Sequence, residues 1–163
     1  MIGILLVSHE PLGTALLNCT RHIYGRLPVQ LAALDVIPDE DPAGATKAAG
    51  ELMSRINDGS GVLVLTDVFG ATPSRIAMGL AEPFRVIVIA GVNLPMLLKA
   101  LGNRRCPLED LAAMLIDSAK HGIEYGTKYS AKHCTEYGTV ISRIRSQHNT
   151  SNANHTVWSN QPD

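Results

Sequence analysis

Short apolar runs alternate with amphipathic segments along most of the chain. Four mainly apolar runs predict strands, at residues 2–7, 29–37, 62–65 and 86–89, and the unbroken run at 62–65 suits a strand covered on both faces. Between them, apolar residues recur every three or four positions, which is typical of helices with one buried face. Strands that alternate with helices favour an α/β fold, with an open, mostly parallel sheet and helices on both faces.

Prolines mark the predicted starts of several helices. Asp41-Pro42 and Thr72-Pro73 each supply a polar N-cap followed by proline at the first helical position. Pro11 is predicted to open the first helix in the same way. These starts all follow predicted strands, which supports the alternating pattern.

The pattern changes beyond Gly122. Residues 123–129 alternate as in an antiparallel edge strand, and residues 130–163 are rich in Ser, Asn, His and Thr. We therefore predict one domain over residues 1–129, followed by a polar, flexible tail over residues 130–163.

Composition narrows the class of protein. A chain of 163 residues with 45% hydrophobic residues can bury one core. Its formal net charge of −1 gives no reason to expect nucleic acid or an anionic membrane as a partner. The apolar run at the start is too short for a signal peptide or a membrane span, and three well-separated cysteines suit reduced thiols. We expect a cytoplasmic protein.

His9 is the strongest candidate for chemistry. It lies where the first predicted strand ends and a helix begins, and Pro11 and Gly13 follow it. Ligands of open α/β sheets bind at the carboxyl ends of strands, where helix N–H groups are free. His9 is therefore a candidate nucleophile.

Asp67 and Thr72 complement His9. Asp67 closes the third predicted strand and could orient the imidazole, although it could equally cap the loop that follows. Thr72 and the N–H groups near it could bind an anion. The other histidines are expected at the surface, and His133-Cys134 has no second pair at the spacing of a zinc site.

Three segments carry a family resemblance. His9 at the end of the first strand, the segment Leu65-Thr66-Asp67-Val68-Phe69-Gly70-Ala71-Thr72-Pro73-Ser74, and the segment Ala90-Gly91-Val92-Asn93-Leu94-Pro95-Met96-Leu97 stand at matching distances. Together they resemble the mannose-family IIA component of the bacterial phosphoenolpyruvate-dependent sugar phosphotransferase system (PTS). The likeness covers residues 1–129.

This resemblance implies a function and a set of partners. The histidine matching His9 takes a phosphoryl group from the histidine phosphocarrier protein and passes it to a IIB component, while the aspartate matching Asp67 holds the imidazole. The hydroxyl matching Thr72 lies beside the phosphoryl group. The resemblance also implies a homodimer, in which residues 123–129 could exchange as an edge strand between subunits. Neither a cofactor nor a metal is expected for such a phosphotransferase.

One position departs from the family and two other classes of protein remain as alternatives. Glu10 stands where the family usually has glycine, and its carboxylate would repel an incoming phosphoryl group if it pointed inward. A receiver-like signalling module would be phosphorylated on Asp67 instead, but Ser8-His9 replace the paired acids expected at the first strand end. A flavin-binding module fits poorly, since only 4% of the residues are aromatic. Transport and a purely regulatory role are both open.

Overall fold

The structure, a computed structural model, describes residues 1–123. These residues form four strands: β1 (Gly3–His9), β2 (Leu31–Val36), β3 (Val62–Thr66) and β4 (Val86–Ala90). They also form five helices: α1 (Leu12–Tyr24), α2 (Pro42–Ile56), α3 (Thr72–Gly79), α4 (Leu94–Gly102) and α5 (Leu108–His121). The predicted alternation of strands and helices is confirmed.

The four strands of this described part form one sheet in the order β2-β1-β3-β4, and every neighbouring pair is parallel. In the register of β1 and β2, Ser8 lies opposite Asp35. Because the strands are parallel, they all end on one side of the sheet, which we call the carboxyl edge. The predicted open, parallel α/β sheet is therefore confirmed.

Helices cover both faces of the sheet, as predicted. All of β3 and the first six residues of β1 are buried. One face packs against α1, α4 and α5 through residues such as Leu16, Leu97 and Leu111. The other face packs against α2 and α3 through residues such as Ala49 and Ile76. Two packed layers hold β1 and β3 rigidly, and so fix the positions where these strands end.

The helix starts agree with the sequence to within one residue. Asp41 caps α2 and Pro42 is its first residue, as predicted. The other two predictions were each wrong by one position. Pro11, with φ −104° and ψ 27°, lies just outside the helix and α1 begins one residue later. Ala71 takes the extended conformation of an N-cap, with φ −74° and ψ 174°, so Thr72 is the first residue of α3.

Asn93 fixes the end of α5 beside the start of α4. Its Oδ1 accepts a hydrogen bond from the N–H of Met96 at 2.9 Å, and its Nδ2 donates to the carbonyl oxygen of Ala119 at 3.2 Å. A Cβ on Gly122 would lie only 2.7 Å from Cγ of Pro95. The last helix of the described part therefore ends at the carboxyl edge.

Candidate functional site

His9 and Asp67 lie together at the carboxyl edge, at the ends of two adjacent strands. His9 Nδ1 is 2.7 Å from Asp67 Oδ2, and the backbone N–H of His9 donates to the same oxygen at 3.0 Å. The β1–β3 pairing runs up to Val7 and Thr66, so both strands end together and bring the two side chains into contact. The pair expected from the sequence is therefore formed.

The carboxylate of Asp67 is covered while the imidazole is open. The Asp67 side chain is 10% exposed and the His9 side chain is 52% exposed. Burial works to raise the pKa of Asp67, but hydrogen bonds from the backbone and ring of His9 and from the N–H of Val68 outweigh it and lower that pKa below its usual value. Asp67 is therefore ionised near neutral pH, and an ionised carboxylate can only accept. In the neutral imidazole, Nδ1 must carry the proton, which leaves the lone pair on Nε2.

Asp67 also shapes the turn that follows it. Its Oδ1 accepts from the N–H of Val68 at 2.8 Å, so the two interpretations of Asp67, partner of His9 and cap of the next loop, both describe part of its role. The turn closes through the N–H of Ala71, which donates to the carbonyl oxygen of Val68 at 3.2 Å. Gly70 has a φ of 84°, a left-handed conformation that glycine adopts without strain.

Thr72 lies at the first position of α3 and is exposed. Its hydroxyl forms no hydrogen bond with any of residues 1–123. No side chain caps α3, and its first turn holds no acidic residue. Pro73 lacks an N–H, so the N–H groups of Thr72 and Ser74 are the donors of this turn that face the loop.

Side chains cap the other three helices that begin at the carboxyl edge. Asp35 accepts from the N–H groups of Gly13 and Thr14 in α1, at 2.8 and 3.1 Å. Asp41 caps α2, and Asn93 caps α4. Among the helices that start at this edge within the described residues, α3 alone keeps an N-terminus open to an anion.

Asp35 is a residue of the site region that the sequence analysis missed. It lies near the end of β2 and reaches across to the first turn of α1, which directly follows His9. Gly13 is needed for this approach, because a Cβ there would lie 2.6 Å from Asp35 Oδ1 and 3.1 Å from Ser8 Oγ. A charged residue inside an apolar strand was the only signal in the sequence.

Large apolar side chains stand exposed at the carboxyl edge, where His9 also lies. Each belongs to a loop or first turn at the carboxyl edge, and they are Leu12, Ile37, Val68 and Phe69. Phe69 is 78% exposed, on the same turn as Asp67. We call these four residues the apolar rim. Exposed apolar groups that surround a polar centre are typical of protein-binding surfaces.

The remaining candidates lie away from this centre or outside the described residues. Glu10 is exposed, and its backbone N–H donates to the carbonyl oxygen of Val36. His22 is exposed on α1, and His121 lies 3.4 Å from Asp117 on α5. The three tail histidines and the predicted edge strand from residue 124 onward fall outside the described part. No helix within residues 1–123 is both long and apolar enough to cross a membrane.

Comparison with known proteins identifies the family. The EIIA-man family, described as the PTS system fructose IIA component, matches residues 3–116. The PTS system fructose-specific EIIA component of Bacillus subtilis is 32% identical over 113 residues, which cover 68% of this chain and 77% of that protein. The family match includes both His9 and Asp67.

Two further relatives define the extent of the likeness. A crystal structure of the phosphotransferase system component EIIA from Streptococcus agalactiae matches with a TM-score of 0.69 and 26% identity, covering 77% of this chain and 97% of that one. The PTS system mannose-specific EIIAB component of Escherichia coli is 25% identical over 126 residues, or 76% of this chain. The matched region spans 39% of that EIIAB protein's length.

Proposed function

Because the chain belongs to the EIIA-man family of PTS IIA components, we propose that it carries a phosphoryl group on His9 Nε2. The family assignment supports a role as a phosphotransferase component of a sugar PTS. The finer proposal is that the histidine phosphocarrier protein donates the group and that a IIB component receives it. The observation that carries this proposal is the contact of His9 Nδ1 with the partly buried, ionised Asp67 at 2.7 Å.

The proposed transfer balances without another reactant. The lone pair of His9 Nε2 forms a bond to phosphorus as the bond between phosphorus and the donor imidazole breaks. The proton on Nδ1 stays in the hydrogen bond to Asp67, whose negative charge offsets the positive charge that develops on the ring. Transfer to a IIB component reverses the same step, so Asp67 serves both directions.

The open N-terminus of α3 offers hydrogen-bond donors to the phosphoryl oxygens. Its N–H groups and the hydroxyl of Thr72 lie on the segment that follows Asp67, and they are free to donate. Donors fixed in position before the reaction stabilise developing negative charge without reorganisation. We propose that Thr72 donates to the phosphoryl group in this way.

The exposure of His9 and the apolar rim favour proteins as donor and acceptor. A half-exposed imidazole is accessible to a second imidazole on another protein, whereas a small-molecule site is usually a deep pocket. The rim offers apolar contacts at the same edge of the sheet, where a partner could exclude water. The same surface would serve a regulatory partner, so transport and regulation remain alternatives for the phosphorylated protein.

We also propose a homodimer, built by the segment that follows α5. This helix ends at the carboxyl edge, and β4 is an edge strand of the described sheet. A segment that continued from this point along β4 would run antiparallel to it, as predicted for residues 123–129. Deleting residues 123–163 should yield a monomer or aggregate in sedimentation analysis, and a stable dimer would contradict the proposal.

Phosphorylation in vitro tests the central proposal. With phosphoenolpyruvate, the first enzyme of the system and the histidine phosphocarrier protein, the chain should take up one phosphoryl group, and His9→Ala should take up none. Mass spectrometry under alkaline conditions would locate the group on His9. A base-labile phosphate on Asp67 would instead support a receiver-like module, although both Asp67 oxygens are occupied by hydrogen bonds.

A further inference from the structure

Acidic side chains dominate the loops at the carboxyl edge. Glu10 follows β1, Asp39, Glu40 and Asp41 follow β2, and Asp67 follows β3. Together, the loops that follow the four strands and the first turns of α1, α2, α3 and α4 contain one residue that is Lys or Arg. That residue is Arg75, in the first turn of α3.

The guanidinium of Arg75 lies over the turn that carries Asp67. Its Nε donates to the carbonyl oxygen of Gly70 at 3.3 Å, which turns the side chain back toward the loop. Its two terminal nitrogens bond to no group within residues 1–123. Arg75 is exposed, so these nitrogens are open to solvent and to a ligand beside α3.

A phosphoryl group on His9 would be a dianion in an acidic neighbourhood. The carboxylate of Asp67 is matched by the His9 ring, but the carboxylate of Glu10 is the next residue along the chain and has no cationic partner within 4 Å among residues 1–123. A second negative charge close to the phosphoryl group disfavours the dianion, and a nearby cation favours it. Guanidinium groups suit this task because their planar fork can donate two parallel hydrogen bonds to phosphate oxygens.

We propose that Arg75 binds the phosphoryl group carried by His9 and offsets the repulsion from Glu10. This inference rests on the proposed function. The bond to Gly70 positions the guanidinium, and the terminal nitrogens donate to the phosphoryl oxygens on the side of α3. Arg75 and Glu10 therefore set the stability of the phosphorylated protein in opposite directions.

Phosphorus NMR of the isolated phosphoprotein tests the proposal without a partner present. The midpoint at which the phosphoryl group loses its last proton should rise by about half a pH unit in Arg75→Gln, because the cation that favours the dianion is lost. Arg75→Lys keeps the positive charge but loses the fork and the bond to Gly70, so its midpoint should lie between those of the unsubstituted protein and Arg75→Gln. Glu10→Gln should shift the midpoint downward.

Arg105→Gln is the matched control, since it removes one exposed positive charge from the loop between α4 and α5, at the opposite edge of the sheet. It should leave the midpoint unchanged. In the transfer equilibrium with the phosphocarrier, Arg75→Gln should shift the phosphoryl group toward the donor about threefold at a pH above the midpoint.

The outcomes separate the two proposals. If His9 takes up no phosphoryl group in the unsubstituted protein, both proposals are wrong. If His9 is phosphorylated but Arg75→Gln and Arg105→Gln have the same midpoint, only the assignment of Arg75 is wrong. If Arg75→Gln slows transfer while the midpoint stays unchanged, Arg75 contacts the donor protein and not the phosphoryl group, which also overturns the assignment.

Discussion

The first turns of α1 and α3 occupy equivalent places, but only one of them is open. Both helices follow central strands and begin at the carboxyl edge. The carboxylate of Asp35 accepts from two N–H groups of α1, whereas no side chain caps α3. His9 is the last residue of the strand before the closed helix, and Asp67 directly follows the strand before the open one.

This difference shows how two helices with different N-termini can contribute separately to one histidine site. A carboxylate at the N-terminus of α1 satisfies its N–H groups and neutralises its partial positive charge, so the β1–α1 loop is held in place but binds no anion. The N-terminus of α3 keeps its donors for a ligand. The capped helix α1 therefore helps to position His9, the proposed phosphoryl acceptor. The free N–H groups of α3 are available to the negative charge of the phosphoryl group.

Removing the charge of Asp67 should have the largest effect on phosphoryl transfer. In Asp67→Asn, the amide permits the wrong imidazole tautomer and no longer offsets charge on the ring, so transfer to His9 should slow about a hundredfold or more. Asp35→Asn makes the same change in charge at the closed helix and should alter the rate less than about threefold. Rapid-quench measurement of both variants checks this, and equal rates would remove Asp67 from the mechanism.

Adding one methyl group at the closed helix should cost stability. The Cβ of Gly13→Ala would lie 2.6 Å from Asp35 Oδ1, so the cap must move, and the free energy of unfolding should fall by about 1–3 kcal/mol. Gly50→Ala is the control inside α2, where a Cβ meets nothing within 4 Å. That substitution should stabilise by about 0.5–1 kcal/mol. Urea unfolding measures both, and a loss of the same size in each would contradict the role of the cap.

Two threonines compare the open and closed helices directly. Thr72→Ala removes a hydroxyl from the first turn of α3 and should slow phosphoryl transfer about tenfold, since one hydrogen bond to a charged group is lost. Thr14→Ala removes the hydroxyl from the first turn of α1 and should leave transfer unchanged. Transfer rates that fall equally in both variants would show that Thr72 has no special role.

The smallest expected effect is on stability: acid should reduce the difference in free energy of unfolding between the unsubstituted protein and Asp67→Asn. The lowered pKa of Asp67 means that its interactions stabilise the fold above the usual carboxyl pKa of about 4, and that this stability is lost as pH falls through the lower, folded value. The gap in free energy of unfolding between the unsubstituted protein and Asp67→Asn should therefore shrink between pH 6 and pH 3. A gap that does not change with pH would show that the charge of Asp67 adds nothing to stability.

The sequence predicted the sheet and the His9–Asp67 contact because both follow from local patterns. Unbroken apolar runs indicate parallel strands, and parallel strands end on one side. Residues just after two such runs are then brought to one edge, and here β1 and β3 are neighbours. The order of strands was not available from the pattern, so the contact was an expectation until the topology was known.

The cap from Asp35 could not be predicted because it depends on register. It requires that Asp35 lie opposite Ser8 and that Gly13 leave room, two relations between residues far apart in the chain. The predicted start of α3 was wrong for a different reason. Proline is tolerated anywhere in the first turn, where its missing N–H costs no hydrogen bond, so Pro73 allowed either Ala71 or Thr72 as the cap.

The openness of His9 bears on how long a transferred group would last. Within the described part, more than half of its side chain is in contact with solvent, so water would reach a phosphorus atom on its ring between encounters. Such a carrier is poorly suited to storing a phosphoryl group, because a phosphorus–nitrogen bond that water can reach is lost by hydrolysis. It is better suited to rapid relay, in which each turnover depends on the supply of donor and the arrival of the next protein.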